Sequence, residues 1–163
     1  MGTLKGLAQF EMFQLHKSIG ISVLVLSILR LIWRCLNPPP QQHVALKGWQ
    51  RVVALAVHWG FYAIMIGMPI SGWIVVSTSP LNIPTVLFHV APWPHFPGVH
   101  GLANPLRESI NYAFGSTHMF LAFGTLVLLL LHLGAVIKHH FLDRDPILRR
   151  MLPVGRWTAS VEL

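Results

Sequence analysis

Hydrophobic positions along the chain gather into three long runs separated by stretches broken by proline, glycine and charge. A helix needs about 20 predominantly apolar residues to cross a hydrocarbon core of ~30 Å. Residues 13–33, 51–77 and 110–139 each satisfy that length, so the pattern predicts an all-α membrane bundle of three transmembrane helices. The connector NPPPQQHVALKGWQ contains three consecutive prolines, which stop the first helix and leave a short loop. STSPLNIPTVLFHVAPWPHFPGVHGLANPLRES, between the second and third runs, is too interrupted to span and is expected to lie at the membrane interface. The charged segment FLDRDPILRRMLPVGRW, in a tail over residues 140–163, closes the membrane domain.

Composition supports lipid as the solvent: 53% of the residues are hydrophobic and 10% are charged, against about 25% charged in an ordinary soluble domain. The formal charge of +7 does not point to nucleic acid, because the cations sit at the ends of apolar runs, where they meet headgroups. Arg30, Arg34, Lys47 and Arg51 flank the first connector, and Lys138, Arg144, Arg149, Arg150 and Arg156 follow the third helix. The opposite face has only Lys5, Lys17 and Arg107. Short loops rich in Lys and Arg stay cytoplasmic, so the first connector and the C-terminus belong inside and the long loop outside. That topology exports the N-terminus, yet residues 1–15 contain no signal peptide, which leads us to expect a further helix upstream of Met1. Cys35 is the single cysteine, leaving no internal disulfide and no covalent haem attachment motif.

Within these apolar helices, histidines stand out. His118 and His132 are fourteen residues apart, a spacing that returns a helix to within ~40° of the same face while advancing ~21 Å. Ala122, Thr125 and Leu129 fall between them on that stripe. From His16 the same steps give Gly20, Val23, Ser27 and Arg30. Small residues beside a histidine make room for something flat and large. With the second helix antiparallel between them, the first and third helices run the same way, and His16 and His118 share a depth near the outer face. Two imidazoles facing each other in apolar surroundings are the usual axial pair of a low-spin b-type haem. Zinc is a poorer fit, because a closed site needs four N or S ligands. A lone intramembrane histidine can also be an interhelical hydrogen-bond donor, and each is weighed against that reading.

At the deeper level the chemistry stays open. A second haem can be ligated by His132, with Arg30 pairing a propionate or else snorkelling to headgroups. His58 lies at comparable depth as an opposite ligand, a quinone-site donor or a bundle hydrogen bond. His139 and His140 are placed to shuttle protons at the cytoplasmic interface or to meet headgroups, while His89, His95 and His100 match no tight metal motif.

HKSIGISVLVLSILRLIWR, HWGFYAIMIGMPISGW and the H(x)13H pair followed by KHHFLDRDPILRRMLP resemble the last three helices of the prokaryotic cytochrome b561 family, over about residues 13–153. The resemblance implies a single membrane cytochrome b domain over residues 1–163, in the bacterial inner membrane, exchanging electrons with ubiquinone; some members are superoxide:quinone oxidoreductases. It implies an outer haem on the residues matching His16 and His118, and an inner haem on the one matching His132. The inner haem's second ligand belongs to a first helix with no counterpart here. One firmly bound haem is therefore expected, and a singly ligated or vacant inner site, which leaves the His132 face to lipid, favours loss of the inner ring or oligomerisation.

These features predict haem b-dependent electron transfer between a membrane quinone and a periplasmic donor or acceptor. A membrane-anchor subunit serving a periplasmic dehydrogenase or hydrogenase is the alternative, distinguished by co-purification of that subunit. A haem-free transporter with a histidine relay is a third, distinguished by the absence of a Soret band. Reporter fusions at Lys47 and Leu163 should both behave as cytoplasmic; a periplasmic signal from either overturns the charge-based topology.

Overall fold

The computed structural model describes residues 2–37, 48–99 and 101–141. They form three long helices and one small hairpin in the order α1 (Gly2–Leu36), α2 (Gly48–Thr78), β1 (Thr85–Leu87), β2 (Ala91–Trp93) and α3 (Asn104–Phe141). Each helix contains a stretch long and apolar enough to cross a membrane: Gly6–Leu36, Arg51–Thr78 and Asn104–Lys138. The protein is thus an all-α membrane helical bundle with a small extramembrane ornament. Most of the proline-rich connector and the charged tail lie outside the described residues. The chain divides into two units, residues 1–125 and 126–163.

In the first unit, α1 and α2 are antiparallel. In the N-terminal half of α1, Lys17 and Gln14 reach the carbonyl of Pro84, just past the end of α2. Near the other end, the Arg34 guanidinium lies 5.9 Å from the Trp59 ring centroid and 5.4 Å from that of Tyr62, early in α2. The helix faces that meet are small and polar: Ser18, Ser27, Ser71, Ser77 and Thr78 are each at most 2% exposed. Large apolar side chains point outward instead, among them Leu26 and Phe120. This inverted distribution follows from lipid as solvent, since tails are as apolar as leucine and helices associate through close packing of small residues.

Hydroxyls buried in such an interior need acceptors, and their own helices supply them. Ser18 donates to the Gln14 carbonyl at 2.8 Å, Ser77 to Trp73 at 2.7 Å and Thr78 to Ile74 at 2.8 Å. Helix ends are closed by side chains. Asn37 Nδ2 donates to the Trp33 carbonyl at 3.1 Å at the end of α1. The end of α2 is closed from α3: Arg107 Nε and Nη2 donate to Thr78 and Ser79 carbonyls, and Asn111 Nδ2 reaches the Val75 carbonyl at 2.8 Å and Thr78 Oγ1 at 2.9 Å. These bonds explain why α3 begins at Asn104 rather than near Ile110. Its first turn accommodates Pro105, whose missing N–H costs nothing there, and carries the polar groups that cap its neighbour.

The segment expected to be irregular contains an antiparallel hairpin, with Thr85 opposite Trp93 and Leu87 opposite Ala91. Its tight turn places Phe88 at φ 48° and His89 at φ 61°, conformations usually left to glycine or asparagine. Contacts to α1 hold it: the Phe88 N–H donates to Ser18 Oγ at 3.0 Å, and His89 Nε2 lies 2.9 Å from Glu11 Oε2. In the second unit, the described part continues α3 from Leu126 to Phe141, with leucines exposed on several sides and His132 half-buried.

Replacing Asn111 by Leu keeps its size but leaves two acceptors of α2 without their donor. The cost expected is about 1–2 kcal/mol, measured as a lowered thermal midpoint of the detergent-solubilised protein.

Candidate functional site

His16 lies on α1, and His118 lies on α3 within the same unit. Their imidazole planes stand at 81° with ring centroids 6.1 Å apart. Metal–nitrogen bonds of about 2 Å on either side of one ion put two imidazole centroids roughly 6 Å apart, the separation seen here.

Helix α2 sets the orientation of His118. Its Nδ1 lies 3.0 Å from the Met68 carbonyl oxygen and 3.1 Å from Ser71 Oγ. A carbonyl only accepts, so Nδ1 carries the proton, and Ser71, whose own hydroxyl donates to Met68 at 2.7 Å, turns a lone pair toward it. The consequence is a fixed tautomer with the lone pair on Nε2, the arrangement that outer-shell carbonyls impose on metal-binding histidines. Pro69 follows Met68 directly and has no N–H for the Met65 carbonyl, so the ordinary helical bonding of α2 is already interrupted at this level. Gly72 completes the seat: a Cβ there would lie 3.0 Å from His118 Cε1 and 3.2 Å from Nδ1.

Beside the pair lies a cavity of about 220 Å³, lined by apolar groups including Phe13, Ile21 and Trp73 together with Lys17 and both histidines. Gly20 and Gly115 line it as well, and a Cβ on either would meet nothing within 4 Å. Each therefore leaves open space where any other residue would intrude, one four residues after His16 and the other three before His118. The two imidazoles, the mostly apolar lining and the open space at Gly20 and Gly115 suit a largely apolar ring.

With this geometry in hand, the comparisons with known proteins decide the family. The sequence matches prokaryotic cytochrome b561 over residues 1–154. The chain belongs to that family. Relatives of this cytochrome b561 family member include cytochrome b561 homolog 2 of Escherichia coli (strain K12), 32% identical over 139 residues, which make up 85% of this chain and 69% of the relative. A probable superoxide oxidase CybB of Yersinia pestis is 30% identical over 151 residues, covering 89% of this chain and 77% of that protein. Cytochrome b561 homolog 1 of E. coli is 26% identical over 142 residues. The chain is accordingly a multi-pass bacterial membrane protein of haem b electron transfer.

Of the residues singled out in the sequence, His16 and His118 are brought together. Arg30 is exposed on α1 and does not line the cavity, nor does Ser27, whose buried Oγ has no partner among the described residues. His58 is exposed on α2, and His132 belongs to the second unit; each makes interactions of its own. The side chains of His139 and His140, and His100 as a whole, lie outside the description. The stripe drawn forward from His118 missed the cavity wall, because helical side chains lean toward the N-terminus and share a surface with residues three or four earlier. Gly115 and Phe13 occupy those backward positions. The contribution of α2 was missed altogether, although PISG inside an apolar run is a readable interruption.

Gly72→Ala should push on the imidazole by a few tenths of an ångström and destabilise the protein by about 1 kcal/mol, seen as a lower thermal midpoint. Gly20→Ala and Gly115→Ala should leave the stability of haem-free protein unchanged or raised, because alanine is the better helix former. Both should instead lower the haem retained per polypeptide.

Proposed function

We propose that His16 and His118 are the axial ligands of one haem b at the outer end of the bundle, and that this site passes electrons between a membrane quinone and a donor on the periplasmic side. The observation that carries this reading is the perpendicular histidine pair beside an apolar cavity, with His118 Nδ1 engaged and its Nε2 left free. Bound there, haem b supplies a reversible one-electron couple between ferrous and ferric iron.

The chain's own residues define what kind of chemistry that couple serves. Filling both axial positions from the protein leaves no open coordination site for oxygen activation, which favours electron transfer. The Met68 carbonyl and Ser71 hold the His118 ring at one orientation and raise its basicity, which sets the ligand field. Gly20 and Gly115 keep side chains out of the space the haem ring would take, Gly72 leaves room for the His118 imidazole, and Phe13, Ile21 and Trp73 would exclude water. The distribution of cations supports an inner-membrane topology with the C-terminus cytoplasmic, which puts this site toward the periplasm. Superoxide, which the name of the Yersinia relative associates with that protein, is the first donor to test, with ubiquinone as acceptor.

For a deeper level the sequence offers His132, on the stripe of His118, while Arg30 and His58 keep the alternatives of a headgroup contact and a bundle hydrogen bond. The full chain is expected to hold one haem firmly. Pyridine haemochrome analysis should give one haem per polypeptide, and either His16→Ala or His118→Ala should abolish or convert the low-spin spectrum. An unchanged α-band in both variants refutes the ligand pair. Two haems per chain, one of them lost on His58→Ala, would instead show that α2 completes the deeper site.

A further inference from the structure

Beyond the two histidines, the cavity wall contains one charge. Lys17 follows His16 directly, lines the cavity and is 7% exposed. Burying an ammonium is costly unless an anion or a full set of acceptors compensates it. The compensation visible is incomplete. Nζ donates to the Pro84 carbonyl at 3.1 Å and lies 5.3 Å from the centroid of the Phe13 ring. An ammonium has three N–H donors, so one carbonyl leaves two of them over. Neither described acidic side chain pairs with it, Glu11 being engaged by His89.

A role confined to capping Pro84 does not account for this cation. The same carbonyl already receives a hydrogen bond from Gln14 Nε2 at 3.0 Å, and an uncharged donor serves that purpose at lower desolvation cost. The charge is informative because of where it lies, at the rim of a cavity whose other walls are apolar. Arg30, which the sequence pattern offered for a propionate of a deeper haem, does not line this cavity.

We propose that Lys17 is the carboxylate anchor of the cavity, binding a propionate of the haem held by His16 and His118. The assignment rests on the axial-ligand reading above. It gives the ring a polar end and an apolar end: the propionate edge faces Lys17 and the chain at Pro84, just before β1, and the hydrocarbon edge faces the bundle interior. A symmetric pair of axial imidazoles cannot by itself select that orientation, whereas a single buried ammonium can.

The test compares haem b with its dimethyl ester, which has the same iron and ring but no carboxylate, on the full chain stripped of haem and reloaded in detergent. Wild type should bind haem b roughly tenfold or more tighter than the diester. Lys17→Gln, which keeps a donor for Pro84 but no charge, should shrink that gap, and Lys17→Arg should retain it. No gap in wild type, or the same gap in Lys17→Gln, overturns the proposal; the second result also follows if the anion on Lys17 is a lipid phosphate or a solvent ion. Should Lys17→Gln fail to accumulate, resonance Raman spectra of wild-type and Lys17→Arg holoprotein decide. A shifted propionate bending mode supports the contact and an unmoved one overturns it. The low-spin α-band should persist in every Lys17 variant. Its persistence in the two histidine variants would sink the ligand reading, so the two failures are told apart.

Discussion

Inside a bilayer no water stands ready to satisfy a polar group, and that constraint governs this molecule from its helix ends to its histidines. Ser18, Ser77 and Thr78 return their hydroxyls to their own helices, and Arg107 and Asn111 on α3 close the carbonyls that α2 leaves open. The same requirement produces the functional geometry. A histidine nitrogen placed in this interior must donate to something, and the Met68 carbonyl receives it. Satisfying one nitrogen fixes the tautomer and leaves a lone pair on the other, so the hydrogen bond that meets a structural need also prepares a donor of the kind metal chemistry uses.

Much of this was legible beforehand because helical periodicity is a local property. The three apolar runs and the facing stripes headed by His16 and His118 follow from spacing alone. What spacing does not encode is which neighbour supplies the rest of the wall. Met68 contributes a backbone oxygen, for which side-chain identity has no signal, and Gly72 contributes the lack of a side chain. Lys17 looked like one cation among three on the outer face; only its burial against the cavity separates it from a headgroup contact. The hairpin escaped for a different reason. Its strands are three residues each, one contains Pro92, and its turn puts Phe88 and His89 in conformations that turn propensities assign to other residues. Tertiary contacts to Ser18 and Glu11 on α1 overrule the local preference there.

Arg30 and His58 show the converse, residues whose type suggested chemistry but whose surroundings do not line the cavity. A long polar side chain on a lipid-crossing helix has an alternative to function, which is to extend along the apolar surface to the headgroups. The contrast between Arg30 and Lys17 lies in burial, not in charge.

The inverted interior has a thermodynamic consequence. Cold denaturation and the strong curvature of stability with temperature in soluble domains come from apolar surface gaining water on unfolding. Here serines and threonines meet between the helices while leucines and phenylalanines already lie against hydrocarbon, so parting the helices within a bilayer or micelle hydrates little new apolar area. The heat-capacity increment of helix separation should therefore be small. The stability curve then approaches a straight line, its slope set by hydrogen bonds, close van der Waals contacts and the grip on the ring.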